Sequence, residues 1–243
     1  MIIITGNYTG NVGKTTIAQK CLKPRIPNCE IISVESINSD GTENEKISGD
    51  KFSQILDDAF KYDSAILDVG SSNIESFLEK MKEFEGSEHF ITKYIVPTVG
   101  DKKQIEDTVS FVRELSALGI PKENIVVVFN RVDKKENIRE VFSRVFNESN
   151  KAIIDEKLCI YDSELMSRLI TENDNRDIID IANDPTDYLS LIRDAKSVNE
   201  RLTLTRKLGT KALASGVMKN MDSVFDFIFS DIAELQSQNE VSE

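Results

Sequence analysis

The 243-residue sequence has no tryptophan, one histidine, three cysteines and five prolines, and each shortage closes off a class of chemistry. The lone His89 lies in a charged stretch, so imidazole-centred acid–base catalysis is not expected. Cys21, Cys29 and Cys159 are odd in number, irregularly spaced and without a C-x-x-C pair, which leaves neither a disulfide framework nor a zinc site to expect. A reducing cytoplasm is the compartment that fits. No apolar run approaches the roughly 20 residues needed to span a bilayer. The opening Met1-Ile2-Ile3-Ile4-Thr5 is too short for a signal peptide and has no basic residue ahead of it, so it reads as a buried first strand. The final residues are polar and acidic, which argues against a terminal membrane-binding amphipathic helix.

Hydrophobic residues make up 40% of the chain and charged residues 30%, enough apolar material to offset the entropy of ordering a soluble globular core. Acids outnumber bases to a formal net charge of −12, so the surface as a whole repels a phosphate backbone. Contact with nucleic acid would need basic side chains gathered in one patch.

Short apolar runs at residues 1–5, 30–34, 64–68, 91–96 and 125–129 predict strands. Between them, helices are expected at residues 14–22, 51–60, 73–84 and 104–118, each with apolar side chains at helical spacing. Alternation of this kind predicts an α/β fold in three layers, a mostly parallel sheet with helices on both faces. After about residue 160 only helices are expected, at 163–171, 187–194 and 197–235. The reading is one domain over residues 1–235 and a frayed polar tail over 236–243.

The strongest signal is Gly10-Asn11-Val12-Gly13-Lys14-Thr15-Thr16, directly after the first strand and opening a helix. Consecutive backbone N–H groups in such a loop form a positive concavity for phosphate oxygens. Lys14 would reach the β- and γ-phosphates and Thr15 would bind magnesium. The motif departs from G-x-x-x-x-G-K-[ST] at its first glycine, where Tyr8 stands. Asp68 ends the third strand and Glu35 the second, at the sheet edge where ligands of open parallel sheets collect. They are the candidate metal and catalytic carboxylates beside Lys14. Asn130 closes the fifth strand within Asn130-Arg131-Val132-Asp133, placed to meet a purine edge and weakly similar to the N-K-x-D of GTPases. Arg201, Arg206, Lys207, Lys211 and Lys219 form a C-terminal basic stretch, read either as a candidate DNA contact or as a solvated helix face. The apolar run at residues 224–232 is expected to seal a core or a subunit interface.

These residues resemble the deviant-Walker ParA/MinD (SIMIBI) ATPases, whose K-G-G-x-G-K-[ST]-T stands here as Thr9-Gly10-Asn11-Val12-Gly13-Lys14-Thr15-Thr16. Within that superfamily the chain looks most like the StbB-type plasmid stability proteins. The further matches are Pro24-Arg25-Ile26-Pro27, I-S-V-E-S-I-N at 32–38, D-V-G-S-S-N at 68–73, Val96-Pro97-Thr98-Val99, Phe129-Asn130, residues 184–188 and L-A-S-G-V at 213–217. The resemblance implies an ATP- and Mg2+-dependent switch that acts as a homodimer with a plasmid-encoded partner protein to keep a plasmid in dividing cells. By position it makes Glu35 and its neighbours the first switch, residues 68–70 the second, and Asn130 an adenine contact. Thr9 replaces the lysine that reaches across such dimers, which implies slow hydrolysis by the chain alone. The alternatives are a GTPase of the same superfamily, a nucleotide-bound scaffold without turnover, and an ATP-dependent small-molecule phosphotransferase.

Overall fold

The computed structural model describes residues 1–35, 47–174 and 176–240, with side chains described as far as Ser230. Ser36, Ile37 and Asn38, part of the expected first switch, lie outside the described residues, as does the tail from 241. β1 (Ile2–Thr5) leads through the glycine loop into α1 (Lys14–Thr16), which continues as a π-helical segment over Ile17–Leu22 and a 3-10 turn over Lys23–Arg25. β2 (Cys29–Val34), α2 (Phe52–Ala59), β3 (Ser64–Val69) and α3 (Ile74–Glu83) follow. Next come β4 (Lys93–Thr98), α4 (Lys102–Ala117) and β5 (Ile125–Val132). The short helices α5 (Ile138–Val141) and α6 (Ser143–Phe146) precede β6 (Cys159–Tyr161). The rest of the described chain is built on α7 (Leu165–Glu172), α8 (Ile178–Ala182), α9 (Tyr188–Asp194) and the long α10 (Val198–Glu240).

The six strands are all parallel and lie in the order β2-β3-β1-β4-β5-β6. The order reverses at β1, and open α/β sheets bind ligands beyond the carboxyl ends of the strands at such a point. This is a P-loop NTPase-like α/β fold, and the glycine loop leaves β1 there.

Successive strand side chains point to opposite faces, and the core divides accordingly. Ile2, Ile4, Leu67, Val96 and Val127 pack with Phe52, Phe77 and Phe111 on one face. Ile3, Ile66, Ile95 and Val128 pack on the other with Ile17 and Leu22 behind the glycine loop and with Val224 and Ile228 of α10. Full burial of each such side chain is worth roughly 1.5–3 kcal/mol, so both faces of these apolar runs hold the sheet in place. The run at 224–232 contributes Val224, Ile228 and Phe229 to this second face.

The structure corrects three expectations. The helix at 14–22 is α-helical for only its first turn. Pro24 lacks the amide that an α continuation would use, and the Arg25 side chain takes the Lys20 and Cys21 carbonyls instead. A sixth strand exists at 159–161, too short to show a period and paired with β5 alone. The fifth strand runs on to Val132, with a bulge between Asn130 and Val132 that turns Arg131 to φ 54°.

Candidate nucleotide-binding site

The glycine loop is moored before it reaches any ligand. Buried Asn7 donates from Nδ2 to the Pro97 carbonyl and to the Thr108 hydroxyl, each at 2.8 Å. β1 pairs with β4 no further than Ile95, so Pro97, which has no N–H, lies past the ladder and costs it nothing. Tyr8, in the place of the motif's first glycine, turns into α4: its hydroxyl donates to Glu114 and its ring meets Phe111 edge-on at 5.1 Å. The bulky residue therefore anchors the loop from behind. Gly13 sits at φ 92°, and a Cβ there would lie 2.1 Å from Asn130 Nδ2. That amide donates 2.9 Å to the Val12 carbonyl. The structure thus gives Asn130 a loop-bracing contact, whereas sequence reasoning saw only a base contact.

At the loop's end three predicted residues converge. The Thr15 hydroxyl donates to Asp68 Oδ2 at 2.6 Å, and Thr5 donates to Asp68 Oδ1 at 3.0 Å. Lys14, 8% exposed, donates from Nζ to the Thr9 carbonyl at 2.8 Å. Burial holds the Lys14 ammonium below the usual lysine range, against the pull of Asp68 and Glu35. Burial likewise lifts Asp68 above the usual carboxylate range, opposed by the hydrogen bonds from Thr15 and Thr5 and by Lys14. Two opposite charges are thus held partly desolvated beside each other, a costly arrangement without an evident structural need.

Glu35, at the end of β2, stands over Gly70: a Cβ on Gly70 would approach Glu35 Cγ to 3.2 Å and the Val34 carbonyl to 3.4 Å. Gly70 N donates to that carbonyl at 2.9 Å. Asn11, Gly13, Lys14, Thr15, Thr16 and Glu35 share one cleft of ≈ 720 Å³ with Asp68, Gly70 and Asn130, whereas exposed Gly10 and buried Val12 do not line it. The cleft continues to an apolar end lined by Ile160, Leu165, Met166, Val217 and Met221. Arg131 closes its rim by donating to the Asn11 carbonyl. Sequence reasoning missed this far end, because β6, α7 and α10 meet there only in three dimensions.

The donor set suits magnesium. A hydroxyl and a carboxylate are hard oxygen ligands, and Mg2+ typically takes one or two such groups plus substrate phosphates. Among the described residues no cluster of three or more His, Cys, Asp or Glu could hold a metal by itself. Other candidates do not join the site. Asp133 holds the Lys135 amide at 2.9 Å and lines a neighbouring groove, so the resemblance to a guanine-reading motif is not completed in space. His89 is exposed beside Glu88. Arg201, Arg206, Lys207 and Lys219 are exposed along α10, with Lys211 half-buried. The three thiols are free and buried, and burial pushes Cys21 up to about 12. Among the described residues no helix is long and apolar enough to cross a membrane.

No protein-family model matches the chain, and no curated protein sequence matches it. Among the solved structures it is similar to are MinD-, McdA- and partition-type ATPases, at low identity. The cell-division ATPase MinD of Pyrococcus furiosus is 12% identical over 86% of this chain and 98% of that one, with a TM-score of 0.49. A Cyanothece McdA–ATP complex is 13% identical over 86% and 96%, with a TM-score of 0.48. A plasmid partition protein of Borrelia burgdorferi B31 bound to AMPPNP is 14% identical over 86% and 97%, with a TM-score of 0.46.

Proposed function

We propose that the cleft binds Mg-ATP and that the chain hydrolyses it slowly, as a nucleotide-dependent switch in plasmid partition or stability. The observation that carries this reading is the 2.6 Å bond between Thr15 and Asp68, which joins the glycine loop to β3 beside a buried Lys14. Thr15 and Asp68 would hold magnesium, with Glu35 at its edge. Bound magnesium would draw charge from the phosphate oxygens. Lys14 would exchange the Thr9 carbonyl for the β- and γ-phosphates, whose negative charge would offset the desolvation of its ammonium. Glu35 would orient a water in line with the γ-phosphate, and the segment around Glu35 and Gly70 would relax once that phosphate leaves. The loop amides of residues 10–16 would carry the phosphates, and the apolar end would take the base.

Adenine is favoured over guanine because Asp133, which a guanine reader would aim at the base, lines the neighbouring groove and not this cleft. The plasmid role, a homodimer, a plasmid-encoded partner protein and a cytoplasmic setting rest on the resemblance to StbB-type proteins. Contact with DNA would run through exposed Arg206 and Lys207. Thr9 has no charge to send to a partner's nucleotide and is 6% exposed, which supports slow intrinsic turnover. Steady-state phosphate release measures this: a slow, magnesium-dependent rate that Lys14→Ala abolishes is expected. Fast turnover by the isolated chain contradicts the slow switch, and no turnover at all moves the chain to the nucleotide-bound scaffold.

A further inference from the structure

Arg25 lies in the Pro24-Arg25-Ile26-Pro27 stretch, which the nucleotide reading leaves without a role. Its side chain is 9% exposed. Nε and Nη2 lie 2.8 and 2.7 Å from Asp222 Oδ1. Nη1 donates to the carbonyls of Lys20 at 3.1 Å and Cys21 at 2.9 Å, and Nη2 donates to the Met218 carbonyl at 3.3 Å. A guanidinium can hold two elements at once because its donors are fixed in a plane; a lysine ammonium is a single point.

Both ends of this clamp matter. Lys20 and Cys21 lie in the last turn of the π-helical continuation of the P-loop helix, where Pro24 offers no amide. Met218 and Asp222 belong to α10, and each follows in sequence a residue that lines the cleft, Val217 and Met221. Cys21 Sγ also approaches the Met221 carbonyl, at 3.7 Å. The element that begins at the phosphates is therefore fastened, at its far end, to the helix that walls the apolar end of the same cleft.

We propose that Arg25 is a positioning residue that, with Asp222, holds α10 in register so that Val217 and Met221 form the wall against which the nucleotide base packs. The inference rests on the nucleotide reading of the cleft and deepens it. The phosphate end depends on the glycine loop, and the base end depends on this strut. A purely structural latch would instead affect every ligand of the cleft alike.

Calorimetric titration with Mg-ATP and with magnesium tripolyphosphate separates the two. Against the wild-type chain, Arg25→Ala weakens ATP about tenfold and Asp222→Asn about threefold, while tripolyphosphate stays within about twofold. Arg25→Lys does not restore ATP affinity, because one ammonium cannot span both elements. The Asp222 side chain is 44% exposed, so Asp222→Asn remains a usable variant even where Arg25→Ala fails to fold. Equal weakening of both ligands, or ATP affinity unchanged in the folded variants, overturns the inference. A wild-type chain that binds tripolyphosphate as tightly as ATP also overturns it. A wild-type chain that binds neither overturns the nucleotide reading itself, a result distinct from failure of the variants alone.

Discussion

The Asn130 side-chain amide donates 2.9 Å to the carbonyl of Val12, 118 residues earlier, and passes over Gly13 where no Cβ stands. The end of β5 thereby props the glycine loop from outside. The pair ties two conspicuous features of the sequence to each other before either meets a ligand.

Asn130→Ala leaves the Val12 carbonyl unpaired, at a cost of roughly 1–3 kcal/mol. If the amide's role is to brace the loop, ATP and tripolyphosphate lose affinity together, by at most the factor of about 150 that the whole of this cost would give. Loss confined to ATP would show that Asn130 acts on the base instead. Calorimetry with the two ligands decides between them.

Gly13→Ala meets two obstacles. The φ of 92° lies in the left-handed region, which costs a side chain roughly 1–2 kcal/mol, and the new Cβ would displace the Asn130 amide from 2.1 Å. Nucleotide binding should be lost with the circular dichroism of the fold retained. Binding at the wild-type level would contradict the geometry.

Glu35→Gln separates two roles for one carboxylate. As the group that orients water, Glu35 should affect turnover by about 10²–10⁴-fold while ATP affinity stays within about threefold. If Glu35 is instead a metal ligand, the affinity for Mg-ATP falls as well. Single-turnover hydrolysis beside equilibrium binding distinguishes the outcomes.

Asp68 links function to stability. Burial raises its pKa in the folded chain above the value of about 3.9 expected unfolded, so the folded state favours the neutral carboxyl. Its unfavourable contribution is complete above the folded pKa and is relieved as pH falls through it. Asp68→Asn, whose amide oxygen still accepts from one of the two threonine hydroxyls and whose NH2 donates to the other once that hydroxyl turns, should therefore make the unliganded chain more stable to urea at pH 7. That advantage should shrink as pH is lowered, and magnesium-dependent nucleotide binding should be lost. An advantage that grows on acidification would contradict this assignment.

Legibility of this chain followed the range of the forces involved. The apolar runs of β1 to β5 and the Gly10–Thr16 stretch announce themselves because strand burial and loop chemistry depend on neighbouring residues. Asp68 and Glu35 were visible as carboxylates at strand ends. β6 was not, since three residues show no period, and Met166, Val217 and Met221 become neighbours of the loop only when α7 and α10 fold back. Asn7, Tyr8 and Arg25 reach partners 90, 106 and 197 residues away, so the sequence can show Tyr8 and Arg25 as motif positions without showing what they hold. Asn130 stands out in the sequence at a strand end, but its Val12 partner does not, because the same residue type at the same place can serve a purine edge or a carbonyl.

The most direct test of the central claim is calorimetric titration of the purified chain with ATP and GTP in magnesium, beside Lys14→Ala. Removing a buried, hydrogen-bonded ammonium should cost about 2–3 kcal/mol, or roughly 30- to 150-fold in affinity. The account predicts magnesium-dependent ATP binding that Lys14→Ala abolishes or weakens by that factor, with GTP much weaker. GTP binding as tight as ATP, or undiminished ATP binding by Lys14→Ala, would contradict it.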